Sequence, residues 1–125
     1  MYFFLFFILS IILNSLSSQT RCSKSDHKKS FINEASYYHM KYAGKKTSSG
    51  EIYDPNKFTA AHKSLPFGTK VKVINISNNK SVAVKINDSM PASNRRLIDL
   101  SYAAAKKIEM INKGTAKVKI KILSK

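Results

Sequence analysis

A chain of 125 residues holds one domain at most, and its single cysteine, Cys22, excludes an intramolecular disulfide. The formal charge of +15 marks a surface that attracts polyanions, yet of 22 basic residues only Arg21, Arg95 and Arg96 are arginine. Arginine is the residue that reads bases and phosphates bidentately, so this balance, with the apolar leader described next, argues against nucleic acid as a partner.

Met1 to Leu16 is almost wholly apolar, broken only by Ser10, Asn14 and Ser15, and Ser17-Ser18-Gln19-Thr20 follow. The run is shorter than the ~20 residues that comfortably span a bilayer, and it stands at the extreme N-terminus. It predicts a secretory signal peptide over residues 1–19, and hence export to the periplasm or cell envelope, in preference to an uncleaved anchor. Retention of this segment, or lipidation of Cys22, would add a membrane tether. Gln19-Thr20-Arg21 is a poor context for lipidation, because an Arg replaces the usual small residue before the cysteine. Residues 20–33 are polar and charged and read as a linker. The domain proper is expected over residues 34–125.

Within it, Ala35-Ser-Tyr-Tyr-His-Met40 is aromatic and β-prone and predicts a first strand. Lys41 to Tyr53 is loop, and Asp54-Pro55 starts a turn. Phe58 to His62 is a short apolar stretch, and Leu65-Pro-Phe-Gly68 a tight turn. Thr69 to Ile76 predicts a strand with Val71 and Val73 on one face and Lys70 and Lys72 on the other. Ser77-Asn-Asn-Lys80 connects it to a second strand, in which Val82, Val84 and Ile86 alternate with polar or small residues. Asp88 falls in register with those three, on the inward parity. Leu97-Ile98 predicts a brief strand. Ser101 can cap a helix from Tyr102 to about Met110, and Asp99 is placed to serve the same helix N-terminus. Thr115 to Leu123 predicts a last strand with Ala116, Val118, Ile120 and Ile122 inward. Its outward lysines read as a solvated surface that dwells near anionic wall polymers or membrane. Short strands with one helix in this length predict a mainly β fold, a small closed barrel.

The chemistry is scarce. His27, His39 and His62 lack metal-ligand spacing, no Gly-x-Ser-x-Gly elbow or Gly-rich phosphate loop occurs, and nothing calls for a cofactor. Of seven carboxylates, Asp88 and Glu51 stand in Gly- or Pro-punctuated segments where sites are usually built. An inward-pointing Asp88 would be dehydrated and its pKa raised, which suits either an acceptor for loop amides or a general acid. Glu51 reads most simply as a solvated loop acid, and His62 as a satisfied core histidine.

Six blocks occur in order: Ala35-Ser-Tyr-Tyr38, Thr47-Ser-Ser-Gly-Glu51, Phe58-Thr-Ala-Ala-His62, Leu65-Pro-Phe-Gly-Thr69, Val84-Lys-Ile-Asn-Asp88 and Leu97-Ile-Asp-Leu-Ser-Tyr-Ala-Ala-Ala105. Together they resemble the rare lipoprotein A (RlpA) family of septal peptidoglycan lytic transglycosylases, over about Glu34 to Leu123. The resemblance implies a six-stranded double-psi β-barrel with one or two short helices, acting as a monomer on peptidoglycan glycan strands. It implies cleavage of the MurNAc–GlcNAc β-1,4 bond without water, leaving 1,6-anhydro ends, with preference for strands free of stem peptides. Carried onto matching positions, the catalytic acid falls on Asp88 and its supporting polar residues on Glu51 and His62. Asn87 beside the acid, and Tyr37, Tyr38 and Phe67 as stacking surfaces, are the substrate-binding candidates. Where the family usually continues Asn-Asp with Arg-Gly-Pro, this chain has Ser89-Met90-Pro91. The rival expectation is a catalytically silent, expansin-like glycan-binding barrel.

Overall fold

The computed structural model describes residues 33–125. The expected signal peptide, Cys22 and all but the last residue of the expected linker lie outside the described residues. Six strands, β1 (Asn33–Tyr37), β2 (Thr59–His62), β3 (Lys70–Asn75), β4 (Ser81–Ser89), β5 (Ile98–Leu100) and β6 (Ala116–Ser124), close a barrel in the order β1-β5-β2-β4-β3-β6. β1 with β5 and β2 with β4 run parallel; the other neighbours run antiparallel. One 3-10 turn (Met40–Tyr42) and one helix, α1 (Tyr102–Lys107), complete the regular structure. The mainly β barrel expected from the sequence is the fold observed.

Alternation builds the core. Val71 and Val73 of β3 and Val82, Val84 and Ile86 of β4 point inward and meet Ile98, Leu100, Ile108, Met110 and Val118. Burial of each large aliphatic side chain contributes about 1.5–3 kcal/mol, and closure leaves no unpaired sheet edge. Ser101 caps α1, its Oγ accepting from Ala104 N at 3.3 Å, and Ala104 and Ala105 seal one side of the barrel.

Four local expectations are corrected. The first strand ends at Tyr37, because His39 leaves the sheet to cap the 3-10 turn, accepting from Lys41 N. The helix stops at Lys107 rather than Met110, because Glu109 takes a left-handed φ of 56° and turns the chain. Asp99 does not serve that helix: the parallel register of β1 and β5 sets it beside Ser36, whose hydroxyl donates to its carboxylate. On β6 only Val118 is fully inward; Ile120 is partly buried, and Ile122 is 44% exposed where the strand outruns the core.

A fifth difference shapes the site. On β4 the alternation breaks: Ile86 and Asn87 are both buried, and Asp88 is half-buried. Ala60 pairs with Ile86, but the next residue, Ala61, pairs with Asp88, so Asn87 is an extra residue bulged into the strand. An inserted residue reverses the parity of everything after it. Asp88 therefore does not continue the inward row but stands at the barrel rim.

Candidate active site

The rim around Asp88 is assembled from the end of β4, the segment 46–52 and Tyr38. Lys46 and Ile52 bridge in antiparallel fashion, and Thr47 N donates to Glu51 O at 2.8 Å, so the segment is a tight loop turning on Gly50 at φ 89°. Its tip lies along β4: Ser49 N donates to Asn87 O, and Ser48 N donates to Asp88 Oδ1 at 2.9 Å. Asp88 Oδ1 also accepts from Ser89 N at 2.9 Å, while Oδ2 accepts from the Tyr38 hydroxyl at 2.7 Å. Ser89 Oγ donates to Ser48 Oγ at 3.0 Å, tying the residue after the acid to the same loop.

These contacts decide the protonation state. Burial pushes the Asp88 carboxyl upward, but the hydroxyl of Tyr38, the hydroxyl and amide of Ser48 and the amide of Ser89 outweigh it, holding the group below the usual aspartate value. The raised pKa expected from core register is thus corrected, because the bulge sets Asp88 among donors. Tyr38 shifts the other way, raised first by burial and then by the carboxylate it serves, so its proton stays in place.

Glu51 is exposed on the same loop. Lys85 Nζ donates to its Oε1 at 2.7 Å and Asn87 Nδ2 to its Oε2 at 3.1 Å, and those two bonds, Lys85 first, lower its pKa. Asn87 thus fixes Glu51 through its side chain and the loop through its carbonyl. Its own Oδ1 is buried without a partner among the described residues.

Two concavities open among the residues around this rim. One, of about 620 Å³, is lined by Tyr37, Tyr38, Tyr42, Arg96, Asp99 and Lys113 among others; the second, of about 360 Å³, is lined by Glu51, Asp54, Lys57, Thr59, Lys85 and Asn87 with Ile52. Asp88 lines neither. It is bonded to Tyr38, which lines the first, and follows Asn87, which lines the second.

The other candidates fall at varied places. His62 is only 7% exposed, and its Nδ1 accepts from Ser64 N and Leu65 N, both at 3.1 Å. Burial, with help from Lys63, lowers its pKa, so it is neutral, and no hydrogen bond joins it to Asp88 or Glu51. Tyr37 spends its hydroxyl on Ile111 O at 3.1 Å and its ring edge-on against Tyr102. Phe67 is 50% exposed on a turn whose Gly68 N donates to Ile86 O, beside the bulge. Tyr42 and Tyr53 were not among the candidates, yet both rings pack on Tyr38, at 6.2 and 5.0 Å. Lys41 and Lys45 stand over Tyr42, at 5.3 and 5.2 Å from its centroid. Ser48 falls inside the Thr47-Ser-Ser-Gly-Glu51 block, and its place two residues before Gly50 in a loop is the signal the sequence carries for it.

A family model described as lytic transglycolase matches residues 30–120. The endolytic peptidoglycan transglycosylase RlpA of Haemophilus influenzae is 50% identical over 112 residues, covering 87% of this chain and 39% of that protein. RlpA of Helicobacter pylori strain J99 is 50% identical over 101 residues, 81% of this chain and 32% of that protein. RlpA of Neisseria meningitidis serogroup B is 54% identical over 86 residues, 69% and 36% respectively. The chain therefore spans no more than two fifths of the length of these relatives. Among solved structures, the Streptomyces papain inhibitor superposes with a TM-score of 0.59 at 22% identity, over 74% of this chain and 93% of that one, a likeness of fold alone.

Proposed function

Because the chain belongs to the lytic transglycolase family of RlpA-type double-psi β-barrels, we propose that it is an exported peptidoglycan lytic transglycosylase of the periplasm or cell envelope. It works as a monomer on the MurNAc–GlcNAc β-1,4 bond, leaves 1,6-anhydroMurNAc ends and prefers strands without stem peptides. The observation that carries this reading is Asp88, a half-buried rim carboxylate gripped by Tyr38, which lines one cleft, and by the Ser48 amide of the loop that carries Glu51.

Cleavage of a glycosidic bond passes through an oxocarbenium-like state and needs an acid for the leaving oxygen. Asp88, once protonated, gives its proton to that oxygen as the C1–O4 bond breaks. The resulting carboxylate takes the proton of the sugar's own 6-hydroxyl as that oxygen bonds to C1, so the acid is regenerated and no water is consumed. In the free protein Asp88 is ionised at neutral pH. A sugar seated over it strips water from the carboxylate and adds to the burial that already pushes its pKa upward. Glu51, held by Lys85 and Asn87, accepts from sugar hydroxyls, and the exposed rings of Phe67 and Tyr42 offer stacking faces. His62 supports the site indirectly, by locking the turn after β2.

A second reading, a glycan-binding barrel without catalysis, draws on one observation: the hydroxyls of Tyr38 and Ser48 and the amides of Ser48 and Ser89 all favour Asp88 in its ionised form. Incubating the protein with peptide-free glycan strands and searching for anhydro ends by mass spectrometry separates the two. Release by wild type and loss in Asp88→Asn is expected. Retained binding with no anhydro product from wild type would leave only the silent barrel.

A further inference from the structure

The outer face of β4, β3 and β6 carries lysines that the glycan site does not use. Antiparallel register sets Lys72 directly opposite Lys121 and Lys70 directly opposite Lys85, with Lys119 opposite Ile74 in the next row. Lys85 is answered by Glu51. Lys70, Lys72, Lys119 and Lys121 are exposed, and no salt bridge with a carboxylate is made by any of them among the described residues. Neighbouring strands lie about 4.8 Å apart and same-face residues about 7 Å along a strand, so the four ammoniums form a tight grid. Like charges directly opposite one another destabilise a sheet, and nothing within the described residues relieves this repulsion.

The grid is open rather than grooved. None of the four lysines lines either cleft beside Asp88. Aliphatic side chains lie among and beside them: Ile74 is half-buried on the same face, and Leu123, the extra residue where the β3–β6 register shifts, is 51% exposed next to Ile122, itself 44% exposed. The chain that precedes Asn33, which includes the apolar run of residues 1–16, joins the barrel at the margin of this face, because Asn33 pairs with Val118 and Glu34 with Lys117.

We propose that this face docks on a bilayer surface rich in anionic lipid, its lysines set against headgroup phosphates and Leu123 at the interface. Lysine is a point charge on a long apolar stem, suited to a diffuse plane of phosphates, whereas a bound polyanionic strand calls for a groove and for bidentate arginines. The attraction acts within a Debye length and adds to any apolar attachment, the pairing of two signals that stable membrane association requires. It is independent of the glycan chemistry at Asp88.

The test compares the full chain with a variant carrying Lys70→Gln, Lys72→Gln, Lys119→Gln and Lys121→Gln, by co-sedimentation with two kinds of vesicle. One is phosphatidylcholine alone; the other is equal parts phosphatidylcholine and phosphatidylglycerol. The N-terminal apolar segment contributes to both, so the ratio of the two partition coefficients isolates the charged face. Wild type is expected to favour anionic vesicles, and the variant to lose on the order of a thousandfold of that preference. A second variant, with glutamine at Lys41, Lys45, Lys106 and Lys107, removes equal charge elsewhere and is expected to keep it. Equal loss in both variants would reduce the effect to net charge and overturn the proposal. Binding of wild type to polyphosphate with no preference for anionic vesicles would overturn it too. So would anionic-vesicle binding by wild type that molar salt leaves unchanged, a measurement that needs no variant.

Discussion

The Tyr38 hydroxyl donates to Asp88 Oδ2 at 2.7 Å, joining the end of β1 to the end of β4 at the barrel rim. The pair is coupled electrically: the bond lowers the carboxyl and raises the phenol. Removing the hydroxyl by Tyr38→Phe takes away the leading influence that opposes burial, so the Asp88 pKa rises. If Asp88 must be protonated to act, kcat/KM falls as pH rises through its free-enzyme pKa. Tyr38→Phe should move that falling limb to higher pH. Profiles of anhydro-product release for both proteins measure this, and a limb that stays put or moves to lower pH would contradict the coupling.

The same bonds make stability depend on acid. Asp88 has a folded pKa below its ordinary value of 3.8, so between the two the unfolded chain binds more protons than the folded one. Stability from this group is present above the ordinary value and is lost as pH falls through the folded pKa. Thermal unfolding of wild type should therefore drop in temperature on acidification below about pH 4, more steeply than in Asp88→Asn, which has no carboxyl to protonate. Parallel curves for the two proteins would show that Asp88 is not the group responsible.

Much of this was legible before any coordinates. Val71, Val73, Val82, Val84 and Ile86 announce inward rows by period 2, and Ser101 before an Ala-rich run announces a helix cap, because both signals are local. The Asn87 bulge was hidden because it is set by which residue of β2 pairs with Ile86 and which with Asp88, a non-local matter. Asp99 was misassigned for the same reason, its partner Ser36 lying 63 residues away in sequence. Tyr53 gave no periodic signal at all, although its buried ring supports Tyr38.

Adjacent residues of β4 should separate stability from function. Ile86 is wholly buried at the barrel centre, so Ile86→Ala should cost about 2–5 kcal/mol in denaturant unfolding. Asn87→Ala removes an amide whose Oδ1 is already unpartnered, so its stability cost should stay near 1 kcal/mol. It also frees Glu51 from one of its two anchors. Product release should then fall by roughly tenfold to a hundredfold, the range that follows misplacement of a positioning group. Equal unfolding costs for the two substitutions, or full activity in Asn87→Ala, would be the contrary result.

Ser101 joins helix and barrel through one oxygen. Its Oγ accepts from Ala104 N in the first turn of α1 and from Thr59 N at the start of β2, each at 3.3 Å, in a fully buried position. Ser101→Ala leaves two buried amides without that acceptor, so the loss should exceed the ~1 kcal/mol of an ordinary exposed cap and approach about 2 kcal/mol. Thr at the same position keeps the oxygen and should recover most of the loss. Because β2 pairs directly with the strand that ends in Asp88, amide exchange at Ala61 and His62 should quicken in Ser101→Ala along with that in α1. Quickening confined to the helix would show that the cap serves α1 alone and does not hold β2 to it.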